Sequence, residues 1–163
     1  TSENFCAQAG PVAEHMIASG VGKKLNFDEM MALMKKAAEA GLVHSTMNMQ
    51  NAAGFIWNCC SCCCGQLQAI KDFKYKGGAA KTNFEPMINH DDCGLCETCV
   101  DMCPIEVMSL GEGDTGERIM INRDFCIGCG VCAVNCPQEV IALNKINNHI
   151  PVESRPGLFG EPA

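Results

Sequence analysis

Two short cysteine runs in the C-terminal half carry the clearest chemistry of the chain. Each run has three cysteines separated by two residues, a fourth cysteine three residues further on, and then a proline. The runs are Cys93-x2-Cys96-x2-Cys99-x3-Cys103-Pro104 and Cys126-x2-Cys129-x2-Cys132-x3-Cys136-Pro137. Thiolate sulfur is a soft ligand that suits iron, and this spacing lets one short loop present three thiolates to one cluster. The spacing therefore predicts metal clusters and not single zinc ions. Zinc sites usually use paired CxxC ligands, without the Cys-Pro ending of these runs.

The two runs resemble those of the bacterial dicluster ferredoxins, over about residues 84–144. The segment from Cys126 to Cys132 follows that family's pattern closely, while Glu97 stands where a glycine commonly follows the second cysteine. In the family, the fourth cysteine of each run binds the cluster of the other run. The resemblance implies two [4Fe–4S] clusters and electron transfer. The implied ligands are Cys93, Cys96, Cys99 and Cys136 for the first cluster and Cys126, Cys129, Cys132 and Cys103 for the second.

Six further cysteines lie upstream of these runs, and five of them fall within six consecutive residues. They are Cys6, Cys59, Cys60, Cys62, Cys63 and Cys64. Four of the six could hold a third [4Fe–4S] cluster, because so dense a group has little use in packing. If residues 59–64 were helical, Cys60, Cys63 and Cys64 would share a face, with Cys6 as the distant fourth ligand. The other face would offer Cys59, Cys62 and Cys63, and the residues leave this choice open.

Composition and charge narrow the class of protein. Fourteen cysteines in 163 residues approach the density of a disulfide scaffold, but adjacent cysteines are poor material for long-range bridges. No charged start and apolar stretch typical of a secretory signal precedes residue 30, so we expect a cytoplasmic protein. No apolar run is long enough to cross a bilayer, so no membrane insertion is expected.

The net charge of −7 is unevenly distributed between the two halves of the chain. Residues 1–82 carry eight Lys/Arg against six Asp/Glu, a net +2, whereas residues 83–163 carry four against thirteen, a net −9. An acidic half argues against nucleic-acid binding, which needs a basic surface. It suits docking on a basic patch of a redox partner.

The N-terminal half predicts helices. Pro11 begins a short helix over residues 11–19, and Asn26 with Glu29 has the pattern of a capping box before a helix that ends near Gly41. Residues 42–56 are interpreted as a loop that leads into the cysteine-rich segment. A third helix is predicted over 65–76, with Leu67, Ile70 and Phe73 on one side, and Gly77-Gly78 then breaks it.

The second half is an internal repeat with an offset of 33 residues. Each unit is predicted as a short strand, a cysteine loop, a helical turn and a second short strand, with a turn at 111–116 between the units. The fold class expected is α+β: a helical N-terminal region followed by a ferredoxin module built as a pseudo-twofold βαβ repeat. The predicted boundaries are 1–82 for the helical cysteine-rich region, 83–144 for the ferredoxin module and 145–163 for an extended tail.

The upstream segment also resembles a known arrangement. Gly41-Leu42-Val43-His44, Asn48 and the run Asn58-Cys59-Cys60-Ser61-Cys62-Cys63-Cys64-Gly65 look like the segment before the ferredoxin module in iron–sulfur proteins of anaerobes. Many of those relatives have a cysteine where Trp57 stands here. In size and cysteine content the chain resembles the small electron-transfer subunit of tungsten enzymes related to aldehyde:ferredoxin oxidoreductase, such as class II benzoyl-CoA reductase. The resemblance implies a larger catalytic oxidoreductase subunit and other electron carriers as partners.

Two alternatives remain beside the electron carrier. One is a catalytic paired-cysteine iron–sulfur site at Cys59-Cys60, similar to that of heterodisulfide reductase. The other is an iron–sulfur redox sensor, in which loss or conversion of a cluster changes the binding of a partner. No Ser/His/Asp constellation, P-loop or GxGxxG run is present, so nucleophilic, phosphoryl and dinucleotide chemistry lack support in this chain.

Overall fold

The computed structural model describes residues 5–50, 54–114 and 116–153, and these form helices and three small antiparallel sheets. The helices are α1 (Gly10–Ala18), α2 (Phe27–Glu39), α3 (Gly65–Phe73), α4 (Thr98–Asp101) and α5 (Val131–Val134). The strands are β1 (Ala7–Gln8), β2 (Val43–Ser45), β3 (Phe55–Cys59), β4 (Phe84–Ile88), β5 (Met108–Gly113), β6 (Gly116–Ile121) and β7 (Ile141–Lys145). The mixture agrees with the predicted α+β class.

Helix α2 begins and ends as its sequence predicts. The Asn26 side chain accepts a hydrogen bond from the Glu29 N–H, and the Glu29 carboxylate accepts one from the Asn26 N–H, both at 2.9 Å. The capping box is therefore confirmed. Gly41 follows the helix at φ +76°, and its N–H donates to the Ala38 carbonyl, which satisfies an otherwise unpaired group at the helix end. Ala37 and Ala38 form the buried side of the helix.

Helix α3 is shorter than predicted, and one of the three residues predicted to share a side lies outside the core. Leu67 and Ile70 are buried, but Phe73 is 80% exposed. Each residue turns a helix by about 100°, so positions 67, 70 and 73 drift around it and do not share one side. The helix ends at Lys74 in the left-handed conformation, and a 3₁₀ turn over Lys76–Gly78 follows.

The N-terminal region is not only helical, which corrects the prediction. Strands β1, β3 and β2 form a three-stranded antiparallel sheet in that order, and β2 and the start of β3 lie in the segment 42–56 for which a loop is predicted. Two of these strands have only two and three residues. Strands as short as β1 and β2 form because each pairs with β3. The pairing of β1 with β3 joins residues some fifty positions apart, and such pairing leaves little local pattern in the sequence.

The second half follows the predicted order of strand, cysteine loop, helical turn and strand in both units. Strand β4 pairs with β7 and strand β5 pairs with β6, so the outer strands of the two units are joined. The turn predicted at 111–116 is shorter than expected, because Gly111 and Gly113 lie within β5. The pseudo-twofold relation between the units stays a prediction.

The segment after β7 packs against earlier parts of the chain. His149 exchanges two hydrogen bonds with the Asn83 side chain, at 2.7 and 2.8 Å. Further on, the Val152 carbonyl accepts a hydrogen bond from the Gln50 N–H at 2.9 Å. Residues 146–153 therefore contact both Asn83, just before β4, and the upstream residue Gln50. The rest of the predicted tail, 154–163, lies outside the described residues.

One hydrophobic core joins the two halves of the chain. Val43, Leu67 and Ile70 from the upstream region belong to the same buried cluster as Ile105 and Ile141 of the second half. Polar contacts reinforce this packing: the Asn135 amide donates to the Ala38 carbonyl at 2.9 Å. A further link joins Lys71 to Glu106 at 2.6 Å. The upstream region is thus packed directly on the segments that carry the cysteine runs.

The lysines near Tyr75 face acidic and aromatic groups of this same chain. Lys76 lies 3.4 Å from the Asp124 carboxylate and 5.0 Å from the centre of the Phe125 ring. Lys74 approaches that ring from 6.0 Å. Lys74 and Lys76 thus make internal contacts with the residues that lead into the second cysteine loop.

Candidate metal centres

Four cysteines from two separate segments come together around Cys99, which lies on α4 and is buried. The sulfur of Cys99 interacts electrostatically with the sulfurs of Cys93, Cys136 and Cys96. Cys136 belongs to the second run, so this group combines three sulfurs of one run with the last sulfur of the other. We call Cys93, Cys96, Cys99 and Cys136 the first sulfur set.

The second group shows the reciprocal arrangement. The sulfur of Cys132, buried on α5, interacts electrostatically with those of Cys129, Cys126 and Cys103. These four cysteines line one cavity together with apolar side chains that include Ile105 and Met108. We call Cys103, Cys126, Cys129 and Cys132 the second sulfur set. The two fourth cysteines, Cys103 and Cys136, are exchanged between the runs, as the resemblance implies.

Left-handed turns shape both cysteine loops. Gly128 and Gly130 have φ values of +63° and +81°, and the positions 33 residues earlier, Leu95 and Glu97, have +53° and +56°. Glycine adopts this region freely, whereas other residues pay a steric cost. A side chain at Gly128 would also collide with the Phe84 carbonyl oxygen. The second loop therefore has glycine at both left-handed positions. The first loop has Leu95 and Glu97 there, so its backbone is strained.

Several backbone N–H groups donate hydrogen bonds to the cysteine sulfurs. Such bonds stabilise the negative charge of thiolates that bind a cluster. In the second sulfur set, three of these donors follow their cysteine by one or two positions, and the fourth, Val107, lies just before β5. The pairs are Gly128 to Cys126, Val131 to Cys129, Ala133 to Cys132 and, at 3.5 Å, Val107 to Cys103. In the first set, the N–H and hydroxyl of Thr98 both lie against Cys96. Sequence reasoning named the cysteines but did not single out Thr98.

Burial makes the sulfurs of the second set costly to ionise without a cation. Desolvation raises the pKa of Cys129 to about 11 and that of Cys132 to about 12, and neighbouring sulfurs add to both. Burial also raises the pKa of Cys99 and Cys126. At Cys96, by contrast, the hydrogen bonds from Thr98 lower the thiol pKa. Buried sulfurs that become anionic only with compensation fit a site completed by metal, since binding deprotonates the thiol.

The six upstream cysteines are arranged differently from the prediction. Residues 59–64 are not helical: Cys59 ends β3, residues 61–63 form a turn, and Cys64 precedes α3. The face of Cys60, Cys63 and Cys64 and the face of Cys59, Cys62 and Cys63, both argued from helical spacing, therefore have no helix to support them. Strand pairing and the turn decide the neighbours instead.

One upstream group gathers around Cys59. Burial is the main cause that raises the pKa of Cys59 to about 11. A hydrogen bond that the Cys59 thiol donates to Cys64 and the charges of Cys64, Cys6 and Cys63 raise it further. Cys6 reaches this place because β1 pairs with β3, with Ala7 opposite Ile56. We call Cys6, Cys59, Cys63 and Cys64 the upstream sulfur set. It offers four sulfurs from two distant segments, which is the number a [4Fe–4S] cluster needs.

The other upstream group lies on the exposed turn. Cys60 and Cys62 form a disulfide, and the Sγ atom of Cys63 lies 3.6 Å from that of Cys60. All three sulfurs lie within 4.8 Å of one another. We call Cys60, Cys62 and Cys63 the exposed sulfur triangle. Cys63 belongs to both upstream groups.

Trp57 and His44 lie near the upstream cysteines in the sheet formed by β1, β3 and β2. Trp57 is 38% exposed and stacks on Phe55 with ring centres 5.5 Å apart, so it is not a core residue. His44 lies in β2 opposite Asn58, and the Nδ1 atom of His44 forms a hydrogen bond with the side-chain oxygen of Asn58. The Asn58 amide in turn donates to the Phe5 carbonyl, which fixes the segment that carries Cys6.

Comparison with known protein families supports the resemblance to ferredoxins. Residues 85–137 match the family model of the 4Fe-4S dicluster domain. The matched segment contains all eight cysteines of the two runs. With these cysteines, the match supports an iron–sulfur, ferredoxin-like protein that binds 4Fe–4S clusters. A comparison with curated proteins finds no match for the chain. Among the described helices, none is long and apolar enough to cross a membrane.

Proposed function

We propose that this protein is an electron carrier with three [4Fe–4S] clusters, held by the first, second and upstream sulfur sets. The observation that carries the proposal is the reciprocal grouping of the two cysteine runs, in which Cys103 joins the second set and Cys136 joins the first. Each bound cluster would accept and release one electron at a time. The match to the 4Fe-4S dicluster domain supports the same chemistry.

The residues of the chain would serve this role by holding, screening and tuning the clusters. The exchanged cysteines Cys103 and Cys136 tie the two units into one body, so that the clusters keep a fixed separation. Apolar residues such as Ile105 exclude water from the second set. The N–H donors around the sulfurs stabilise negative charge, which sets how readily an electron is taken up.

The partner we propose is a larger catalytic oxidoreductase subunit, of the tungsten-dependent type exemplified by class II benzoyl-CoA reductase. The chain would act as its small electron-transfer subunit and exchange electrons with other carriers. The net charge of −9 over residues 83–163 suits a basic docking surface on that partner.

Analysis of iron and acid-labile sulfide in protein prepared without oxygen tests the cluster count. We expect about twelve of each per chain, four for each cluster. About eight would remove the third cluster and leave the two-cluster carrier, and a colourless protein without sulfide would contradict the whole proposal. Affinity capture from the native extract, with identification of the co-purifying large subunit, tests the partner. Capture of the chain without any oxidoreductase would contradict the subunit role.

A further inference from the structure

The exposed sulfur triangle contains three sulfurs within reach of one another, but only two of them are bonded. Cys62 and Cys63 are exposed and Cys60 is half-buried, so solvent and small thiols can reach the Cys60–Cys62 bond. The turn that carries them is held in place: the Cys60 carbonyl accepts a hydrogen bond from the Cys64 N–H at 3.1 Å. The Gln68 amide donates to the Cys62 carbonyl at 3.2 Å.

We propose that Cys60, Cys62 and Cys63 form a thiol–disulfide exchange site for low-molecular-weight thiols and disulfides, which shares Cys63 with the upstream sulfur set. Thiolates attack disulfides directly, and exposure of the sulfurs controls access. The site differs from the first and second sulfur sets, whose cysteines carry no disulfide and are predominantly buried or half-buried.

The chemistry of the site has two balanced steps. A dithiol reductant breaks the Cys60–Cys62 bond, and the two electrons and two protons that it gives up convert the pair to two thiols while it closes its own disulfide. Within the oxidised site, the Cys63 thiolate can attack Cys60 Sγ across the 3.6 Å separation. A Cys60–Cys63 bond then forms, the Cys60–Cys62 bond breaks, and Cys62 leaves as the thiolate without net oxidation.

The shared sulfur couples this exchange to the upstream sulfur set. When Cys63 is bonded to Cys60, only Cys6, Cys59 and Cys64 remain free in that set. Rearrangement of the disulfide from Cys60–Cys62 to Cys60–Cys63 would therefore compete with occupancy of the upstream set while leaving the other two sets intact. This coupling rests on the proposed third cluster, whereas the exchange site itself does not.

Disulfide mapping across a series of glutathione redox buffers tests the exchange site. The full chain is equilibrated without oxygen, quenched in acid, alkylated, digested and mapped by mass spectrometry. We expect Cys60 and Cys62 to leave the thiol pool together and to return fully with dithiothreitol. In Cys62→Ser from which a chelator has removed the iron, a Cys60–Cys63 bond should replace the lost pair, while Ser61→Ala should behave as the wild type. Free Cys60 and Cys62 at every buffer ratio in the wild type, or unpaired Cys60 and Cys63 in the iron-free Cys62→Ser variant, would overturn the proposal.

The iron content of the double variant Cys60→Ser/Cys62→Ser separates this inference from the proposed function. We expect the same iron as in the wild type, about twelve per chain, because neither residue belongs to the upstream sulfur set. A fall by about four atoms would show that the pair binds metal, and it would overturn the exchange site. A wild-type value near eight would instead count against the third cluster and the coupling, and the exchange site would then be judged by the mapping alone.

Discussion

The first and second sulfur sets differ from the upstream sulfur set in how the chain brings the cysteines together. In the ferredoxin module, each set takes three sulfurs from one short loop, and the loops repeat the same turns 33 residues apart. Upstream, Cys6 reaches Cys59 only through the pairing of β1 with β3, and a disulfide occupies part of the turn. Local spacing therefore groups three of the four sulfurs in each module set, and only Cys103 and Cys136 depend on contacts between the runs. The upstream group, by contrast, depends on the long-range pairing of β1 with β3.

The largest expected effect comes from breaking a set in the module. Cys129→Ser replaces a buried soft ligand with a hard hydroxyl, so iron should fall by at least one cluster, about four atoms per chain. Because Cys103 and Cys136 connect the two units, the remaining cluster of the module should be lost at a lower temperature. Iron analysis and thermal unfolding followed by circular dichroism measure both effects. Full iron with an unchanged redox titration would contradict the ligand assignment.

A cysteine of the upstream set should have a smaller and more local effect. Cys6→Ser removes one sulfur at the end of a two-residue strand, so we expect a loss of about four iron atoms and retention of about eight. The thermal unfolding of the module should stay near that of the wild type. Iron analysis before and after gel filtration measures this difference. Retention of twelve atoms would exclude Cys6 as a ligand, and loss of all iron would remove the distinction between the regions.

The next effect concerns the backbone that shapes the second loop. Gly128→Ala places a side chain at φ +63° against the Phe84 carbonyl oxygen, and we expect destabilisation of about 2 kcal/mol. Gly65→Ala is the matched control, since Gly65 begins α3 and a side chain there meets no other group within 4 Å. Denaturant unfolding of the iron-loaded protein measures both variants. Equal stability of the two would show that the left-handed turn is not a constraint on the loop.

The smallest effect would sharpen the contrast between the two cysteine loops. Glu97 adopts φ +56° where Gly130 stands in the second loop, so Glu97→Gly should relieve strain and stabilise the protein by about 1 kcal/mol. As a control, Glu117→Gly in β6 should destabilise it, because glycine in a strand loses entropy without relieving strain. The same denaturant measurement applies. If Glu97→Gly also destabilises, the first loop gains more from this side chain than it loses to strain.

Predictions from local pattern succeeded where neighbouring residues decide the structure. The capping box of α2 and the strand–loop–turn order of both units appear as predicted. They failed where distant residues decide: strands β1, β2 and β3 were missed, and Phe73, predicted on the same helix side as the buried Leu67 and Ile70, is exposed. The ligand assignments of the eight module cysteines stay predictions, although the structure groups their sulfurs in the same two fours.

The sequence alone determined that this chain handles iron and sulfur, because the type and spacing of eight cysteines are written within two short segments. Only the tertiary structure decided which upstream sulfurs become neighbours. Their grouping depends on the register of β1 against β3, and on a turn at residues 61–63 where helical spacing had suggested shared faces. It also decided that the lysines near Tyr75 contact the second loop. Such contacts arise from packing between segments far apart in the chain, and no local pattern encodes them.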